Sequence, residues 1–145
     1  PSTNYICTRK GDGLADKQYI LSKLGDPNTS ILDTRLEEEF TNELVICDRG
    51  GNIPGARHFN WEDAIDTENS SSFRPVEELQ TYMDKLNLKK DDEIIVYCQT
   101  HTRSAHTFYV LKHLGYPNVL AYPAGYSEWG NETDLPIENE YFGDD

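Results

Sequence analysis

The segment Ile94–Ser104, IIVYCQTHTRS, constrains this chain more than any other stretch. Ile94, Ile95 and Val96 form a short apolar, β-branched run, which suits a strand covered on both faces. Ser104 opens AHTFYVLKHLG, where Ala105, Phe108, Tyr109, Leu111 and Leu114 recur near helical spacing and Gly115 provides a stop. Cys98 is thereby placed at the carboxyl end of a central strand, with the amino end of the next helix pointing at it. Free backbone N–H groups converge at such a point and carry partial positive charge. A loop curled over the sulfur would add further N–H groups and form an anion-binding nest. That setting favours the thiolate over the thiol. A tenfold shift towards the anion requires about 1.4 kcal/mol of preferential interaction, which several N–H donors and one Arg can supply. The alternative is a buried structural Cys at a strand end. The polar loop and Arg103 weigh towards chemistry.

The remaining cysteines say where such a thiol could persist. Cys7, Cys47 and Cys98 are odd in number and widely spaced, with no Cys-x-x-Cys pair. This fits neither a disulfide framework nor a zinc site, and it points to a reducing, cytoplasmic setting. At 145 residues the expectation is one domain, residues 1–145, with a real core. No apolar run approaches the roughly 20 residues of a membrane helix, and no secretory or transit segment is visible, although the sequence begins at Pro1 rather than Met. A net charge of −13 argues against nucleic-acid binding and against anionic membranes. Any anion site must therefore be made by local dipoles and nearby Arg, since salt screens exposed charges beyond about 8–10 Å.

Along the chain, Asp16–Leu24 reads as a short amphipathic helix ended by Gly25. Ser30–Asp33 reads as a strand leading into Thr34 and Arg35, and Leu36–Phe40 as an acidic helical turn. Gly50, Gly51, Pro54 and Gly55 mark residues 41–55 as irregular loop. Arg57–Phe59 can be a short strand, and Asp66–Ser72 is polar loop. Pro75–Leu86 reads as a helix with Val76, Leu79, Tyr82, Met83 and Leu86 on one face. Val119–Ala121 is a strand, Gly125–Trp129 a helical turn, and Glu138–Asp145 a solvated acidic tail. Strands alternate with helices, so the fold class is α/β with a mainly parallel central sheet and helices on both faces. In such sheets ligands bind at the carboxyl ends of the strands, where Cys98 lies.

Four segments together resemble the rhodanese family of thiosulfate sulfurtransferases. Cys98-Gln99-Thr100-His101-Thr102-Arg103-Ser104 resembles the family's active-site loop. ILDTR at Ile31–Arg35 with Glu39 and Phe40 resembles its strand-plus-acidic-turn motif. Arg49–Ala56 resembles its Gly-His-Ile-Pro-Gly-Ala motif. Tyr126–Trp129 with Leu135–Glu138 resembles its closing motif, especially in the carboxyl-terminal domain of two-domain members. Asn52 stands where the family usually has His, and Ala124 and Tyr126 where it prefers Gly and Trp or Phe. The loop also differs from the Cys-Gly-Ser-Gly-like form of mercaptopyruvate-type enzymes.

The resemblance implies a rhodanese-like fold and a sulfur transfer in which Cys98 takes the outer sulfur of thiosulfate as a persulfide. Cyanide or a thiol then accepts that sulfur, and no cofactor or metal is needed. It implies a substrate-binding role for Gln99, Thr100, His101, Thr102, Arg103 and Ser104, and leaves room for a second rhodanese domain in a longer parent chain. Two readings stand for Arg103: a two-pronged grip on the donor's sulfonate, or a helix-start residue tied to a nearby carboxylate. His101 is either a donor to the site or a solvated loop residue. Asp33 and Arg35 read as a pair bracing the strand ends. Trp61, Tyr126 and Trp129 read as packing aromatics that could wall a pocket, His106 and His113 as ordinary helix positions, and Cys7 and Cys47 as bystanders. Rival functions are a non-catalytic rhodanese-like module, a carrier passing its persulfide to a protein, and a Cys-dependent phosphatase. The last needs five residues between Cys and Arg to encircle phosphate, whereas four lie here.

Overall fold

A computed structural model describes residues 13–69 and 71–141. The chain runs α1 (Lys17–Lys23), β1 (Thr29–Asp33), α2 (Glu37–Phe40), β2 (Gly50–Asn52), β3 (Arg57–His58), a 3-10 turn (Trp61–Ala64), β4 (Ile65–Asp66) and β5 (Ser72–Phe73). It continues with α3 (Val76–Lys85), β6 (Glu93–Tyr97), α4 (Thr102–His113), β7 (Val119–Ala121), α5 (Gly125–Trp129) and β8 (Glu138–Tyr141). The central sheet has the order β3-β1-β6-β7 and is parallel throughout. The fold is of the α/β class, with a parallel central sheet, as expected.

The apolar run of β6 explains why helices cover both faces. Side chains alternate along a strand, so Ile94 and Val96 join one core with Leu79 and Met83 of α3 and Val110 and Leu111 of α4. Ile95 and Tyr97 face the other way, into a core with Ile20 of α1 and Tyr126 and Trp129 of α5. β1 splits likewise, with Leu32 in the first core and Ile31 in the second. The register pairs Thr29 with Glu93 and Asp33 with Tyr97, so both central strands end level, just before Cys98. Beyond β7 the sheet gains one parallel bridge, Leu14 to Ala121.

Four expectations of local structure require correction. The helix after Cys98 begins at Thr102, not Ser104, because His101 takes a left-handed φ of 70° and turns the chain into the helix two residues sooner. Residues 41–55 are not all loop, since Gly50–Asn52 form β2. The acidic tail is not wholly solvated, since Glu138–Tyr141 form β8, antiparallel to β2. Glu138 also accepts a 2.6 Å hydrogen bond from the Gly55 N–H. Spacing within either segment could not reveal this pairing, because each supplies only half of the ladder. The end of the tail, residues 142–145, lies outside the described residues, as does Cys7. Asp66 and Ser72, the ends of the polar loop, are paired in a small antiparallel hairpin of β4 and β5. No helix among the described residues is long and apolar enough to cross a membrane.

Candidate active site

Cys98 follows the last residue of β6 and is 1% exposed. The segment after it is shaped from two sides. From α5, the Tyr126 N–H donates to the Cys98 carbonyl at 2.8 Å and the Ser127 N–H to the Gln99 carbonyl at 3.0 Å. Gly125 makes this close approach possible. Its φ is +62°, and a Cβ there would lie 2.5 Å from both the Cys98 and Gln99 carbonyl oxygens. A side chain is therefore excluded both by backbone conformation and by contact with backbone atoms. On the opposite side α4 begins, and its first intrahelical bond runs from the Ala105 N–H to the His101 carbonyl at 2.9 Å. The loop carbonyls nearest the cysteine are thus committed to α5. The N–H groups of Gln99 to Ser104 have no protein acceptor among the described residues. Unpaired N–H groups at a helix start are the ingredients of an anion site.

The side chains of the loop divide by surroundings. Thr100 and Thr102 are exposed. His101 is half-buried, its Nδ1 lies 2.8 Å from the Oγ of the fully buried Ser104, and burial lowers its pKa, favouring the neutral ring. Gln99 turns away from the mouth and places its amide nitrogen 2.8 Å from the Sγ of Cys47, which itself lies 3.3 Å from the Tyr126 carbonyl. Cys47 therefore touches the loop, although its position in the sequence gives no sign of this. Burial pushes its thiol up, against the Gln99 amide, which favours the thiolate.

Arg103 projects from the first turn of α4 to Glu39 of α2. Both terminal guanidinium nitrogens engage that carboxylate: Nη2 donates to Oε1 at 2.9 Å, and Nη1 donates to Oε2. Glu39 is 2% exposed and also accepts from the Leu36 N–H at 3.1 Å. The hydrogen bonds to Glu39 hold the Arg103 guanidinium above its ordinary pKa, with smaller contributions from Cys98. Burial alone would push Glu39 up; Arg103 and the Leu36 N–H outweigh it and hold the carboxylate below its usual range. Of the two readings of Arg103, the carboxylate-tied one describes its geometry. α2 presents three consecutive glutamates; the motif resemblance singles out Glu39, but neither its burial nor its pairing with Arg103 could be read from it.

Asp33 and Arg35 lie beneath the loop as expected of a brace. Asp33 is fully buried and accepts from Arg35 Nη2 at 2.6 Å, from Arg35 Nε at 2.9 Å and from the Tyr97 hydroxyl at 2.7 Å. Arg35 also donates to the Gly51 carbonyl at 2.7 Å, and its guanidinium lies 4.0 Å from the centre of the Tyr126 ring. Desolvation by itself would lower the Arg35 pKa, but Asp33 prevails and raises it. The brace thus links β1, β6, β2 and α5, the elements that hold the Cys98 loop. Tyr126 and Trp129 are buried packing residues, while Trp61 stands edge-on to His106 at 5.6 Å.

Comparison with known proteins agrees with this architecture. Residues 16–132 match the model of the rhodanese-like domain. The chain is 38% identical over 124 residues to the thiosulfate sulfurtransferase of Azotobacter vinelandii, covering 86% of this chain and 45% of that protein. It is 35% identical over 124 residues to the sulfur carrier protein TtuD of Thermus thermophilus, covering 79% of this chain and 43% of that one. The chain thus spans about half the length of the curated relatives it matches. Among solved structures, an anaerobic ergothioneine biosynthesis enzyme from Chlorobium limicola superposes with a TM-score of 0.78 at 21% identity. That match covers 86% of this chain and 31% of the enzyme, and it shows likeness of fold alone.

Proposed function

The chain belongs to the rhodanese family, and from that premise we propose that it is a cytoplasmic sulfurtransferase working through a persulfide on Cys98. The Cys98 thiolate attacks the outer sulfur of thiosulfate or a similar donor. The bond from Sγ to that sulfur forms, the donor's S–S bond breaks, and its electron pair leaves with sulfite. Cyanide or a thiol then attacks the outer sulfur of the persulfide and restores the thiolate. The covalent intermediate divides one difficult transfer into two easier ones and gives double-displacement kinetics.

The observation that carries this reading is the division of labour in the loop. Its carbonyls at Cys98 and Gln99 are bound to α5, while the N–H groups from Gln99 to Ser104 find no protein acceptor among the described residues. Preorganised N–H groups stabilise an anionic sulfur as an oxyanion hole stabilises oxygen. Arg103, in the first turn of α4, adds positive charge at the loop. The four-residue spacing between Cys98 and Arg103 suits one large, soft anion better than a phosphate. A second reading, in which the persulfide passes to a protein acceptor, draws support from the relative named as a sulfur carrier.

The test is intact mass after thiosulfate treatment, before and after cyanide. The wild type should gain the mass of one sulfur atom and lose it to cyanide. Cys98→Ser should gain none, and Cys47→Ser should load as the wild type does. Full thiosulfate:cyanide transfer by Cys98→Ser would sink the mechanism.

A further inference from the structure

α5 holds the Cys98 loop with two hydrogen bonds at its amino end, yet it is only five residues long. A helix that short does not fix its own position, so whatever holds its far end decides where its N–H groups point. The last carbonyls of a helix have no partner within it. Here the carbonyls of Trp129 and Gly130, and those of Glu132 and Leu135 in the turn that follows, converge on one buried side chain. That side chain is Arg49, which is 7% exposed and stands just before β2. Its Nη2 donates to the Trp129 carbonyl at 3.1 Å and also to the Glu132 carbonyl. Nη1 donates to the Leu135 carbonyl at 3.1 Å, and Nε to the Gly130 carbonyl at 3.4 Å, which the Arg49 backbone N–H reaches at 3.2 Å. The packing between the two segments is tight. A Cβ on Gly130 would lie 3.0 Å from the Arg49 carbonyl oxygen and 2.9 Å from Cys47 Cβ.

Resting on the sulfurtransferase reading above, we infer that Arg49 is a positioning residue for sulfur transfer. It clamps the carboxyl end of α5. The helix carries that constraint to the Tyr126 and Ser127 N–H groups, which fix the Cys98 and Gln99 carbonyls and with them the orientation of the loop's own N–H groups. The clamp needs donors spread over a plane. A guanidinium offers five in fixed directions, whereas an ammonium offers three from one point and cannot serve four separated carbonyls. Arg49 also meets the Glu140 carboxylate, 3.2 Å from Nη1. Glu140 belongs to β8 rather than α5, so this charge pair is separable from the clamp.

Arg49→Lys keeps the charge and removes the fork, and Arg49→Ala leaves room for a small planar cation. Three readouts separate positioning from general support. They are single-turnover loading of Cys98 from thiosulfate by time-resolved intact mass, hydrogen exchange at the Tyr126 and Ser127 amides, and the melting midpoint. Leu79→Ala, in the core on the other face of the sheet, controls for destabilisation alone. Loading is followed well below the lowest midpoint of the set. Arg49→Lys should load about 10- to 100-fold more slowly, as a displaced reaction geometry does, and its Tyr126 and Ser127 amides should exchange faster. Leu79→Ala should melt lower yet load as the wild type does, and Glu140→Gln should also load at the wild-type rate. Millimolar methylguanidinium should restore loading to Arg49→Ala, and methylammonium should not. Should Arg49→Ala fail to fold, Arg49→Lys decides the matter. A wild-type loading rate in Arg49→Lys, or one reduced only as far as in Leu79→Ala, would overturn the inference. So would slow loading with both amides protected as in the wild type, or equal rescue by methylammonium. If the wild type itself takes up no sulfur, the failure belongs to the sulfurtransferase reading, and amide exchange in Arg49→Lys still decides whether Arg49 holds α5.

Discussion

Replacing Gly125 by Ala tests how far the reactive loop depends on a contact remote in sequence. The added Cβ would lie 2.5 Å from two carbonyl oxygens and 2.8 Å from the Gln99 carbonyl carbon. All three are backbone atoms, so no side chain can swing aside to make room. The left-handed φ of +62° costs an L-residue about 1–2 kcal/mol, and overpacking a tight contact costs about 1–3 kcal/mol more. Gly125→Ala should therefore destabilise the fold by about 2–5 kcal/mol. At about 3 °C per kcal/mol for a chain of this size, the melting midpoint should fall by roughly 6–15 °C. If the strain is relieved by pushing the loop away from α5, the Tyr126 and Ser127 hydrogen bonds lengthen and the N–H groups near Cys98 shift. Misplacement approaching 1 Å lowers a well-oriented reaction by about 100-fold, so sulfur loading should slow by about 10- to 100-fold. Thermal unfolding followed by circular dichroism gives the first quantity, and time-resolved mass spectrometry after thiosulfate addition gives the second. A variant that melts within about 2 °C of the wild type and loads at the same rate would refute the account of Gly125, and with it the claim that α5 shapes the loop.

Other outcomes follow from the buried charges. Asp33→Asn leaves the Arg35 guanidinium buried without its counter-charge and should cost about 3–5 kcal/mol in urea denaturation; a change below about 1 kcal/mol would show that the Tyr97 hydroxyl and Gly51 carbonyl suffice. Glu39 contributes to acid stability with a definite sign. Its pKa is lower folded than unfolded, so its contribution is complete above the ordinary glutamate value and is lost as pH falls through the folded value. Glu39→Gln should consequently show a shallower loss of stability on its acid limb than the wild type, measured as denaturation midpoint against pH; parallel limbs would mean that the ion pair contributes nothing to folding.

Much of this protein was legible in one dimension because its physics is local. Three consecutive β-branched residues require cover on both faces of a strand, and helical spacing from Ala105 to Leu114 places the next helix. Together they put Cys98 at a strand end facing a helix amino terminus without reference to any other segment. The Asp33–Arg35 brace was equally readable, since its members are two residues apart. Other features depend on partners distant in sequence. Gly50–Asn52 become a strand only because Glu138–Tyr141 arrive beside them. The loop carbonyls are held by N–H groups of α5, and Cys47 meets Gln99 across 52 positions. Arg103 shows the division most clearly: the sequence supplied a guanidinium in the first turn of the helix, and only the tertiary fold decided which charge it serves. A cation's function depends on what lies within a few ångströms of it, and the motif resemblance that singles out Glu39 does not say that Arg103, 64 positions away, is its partner.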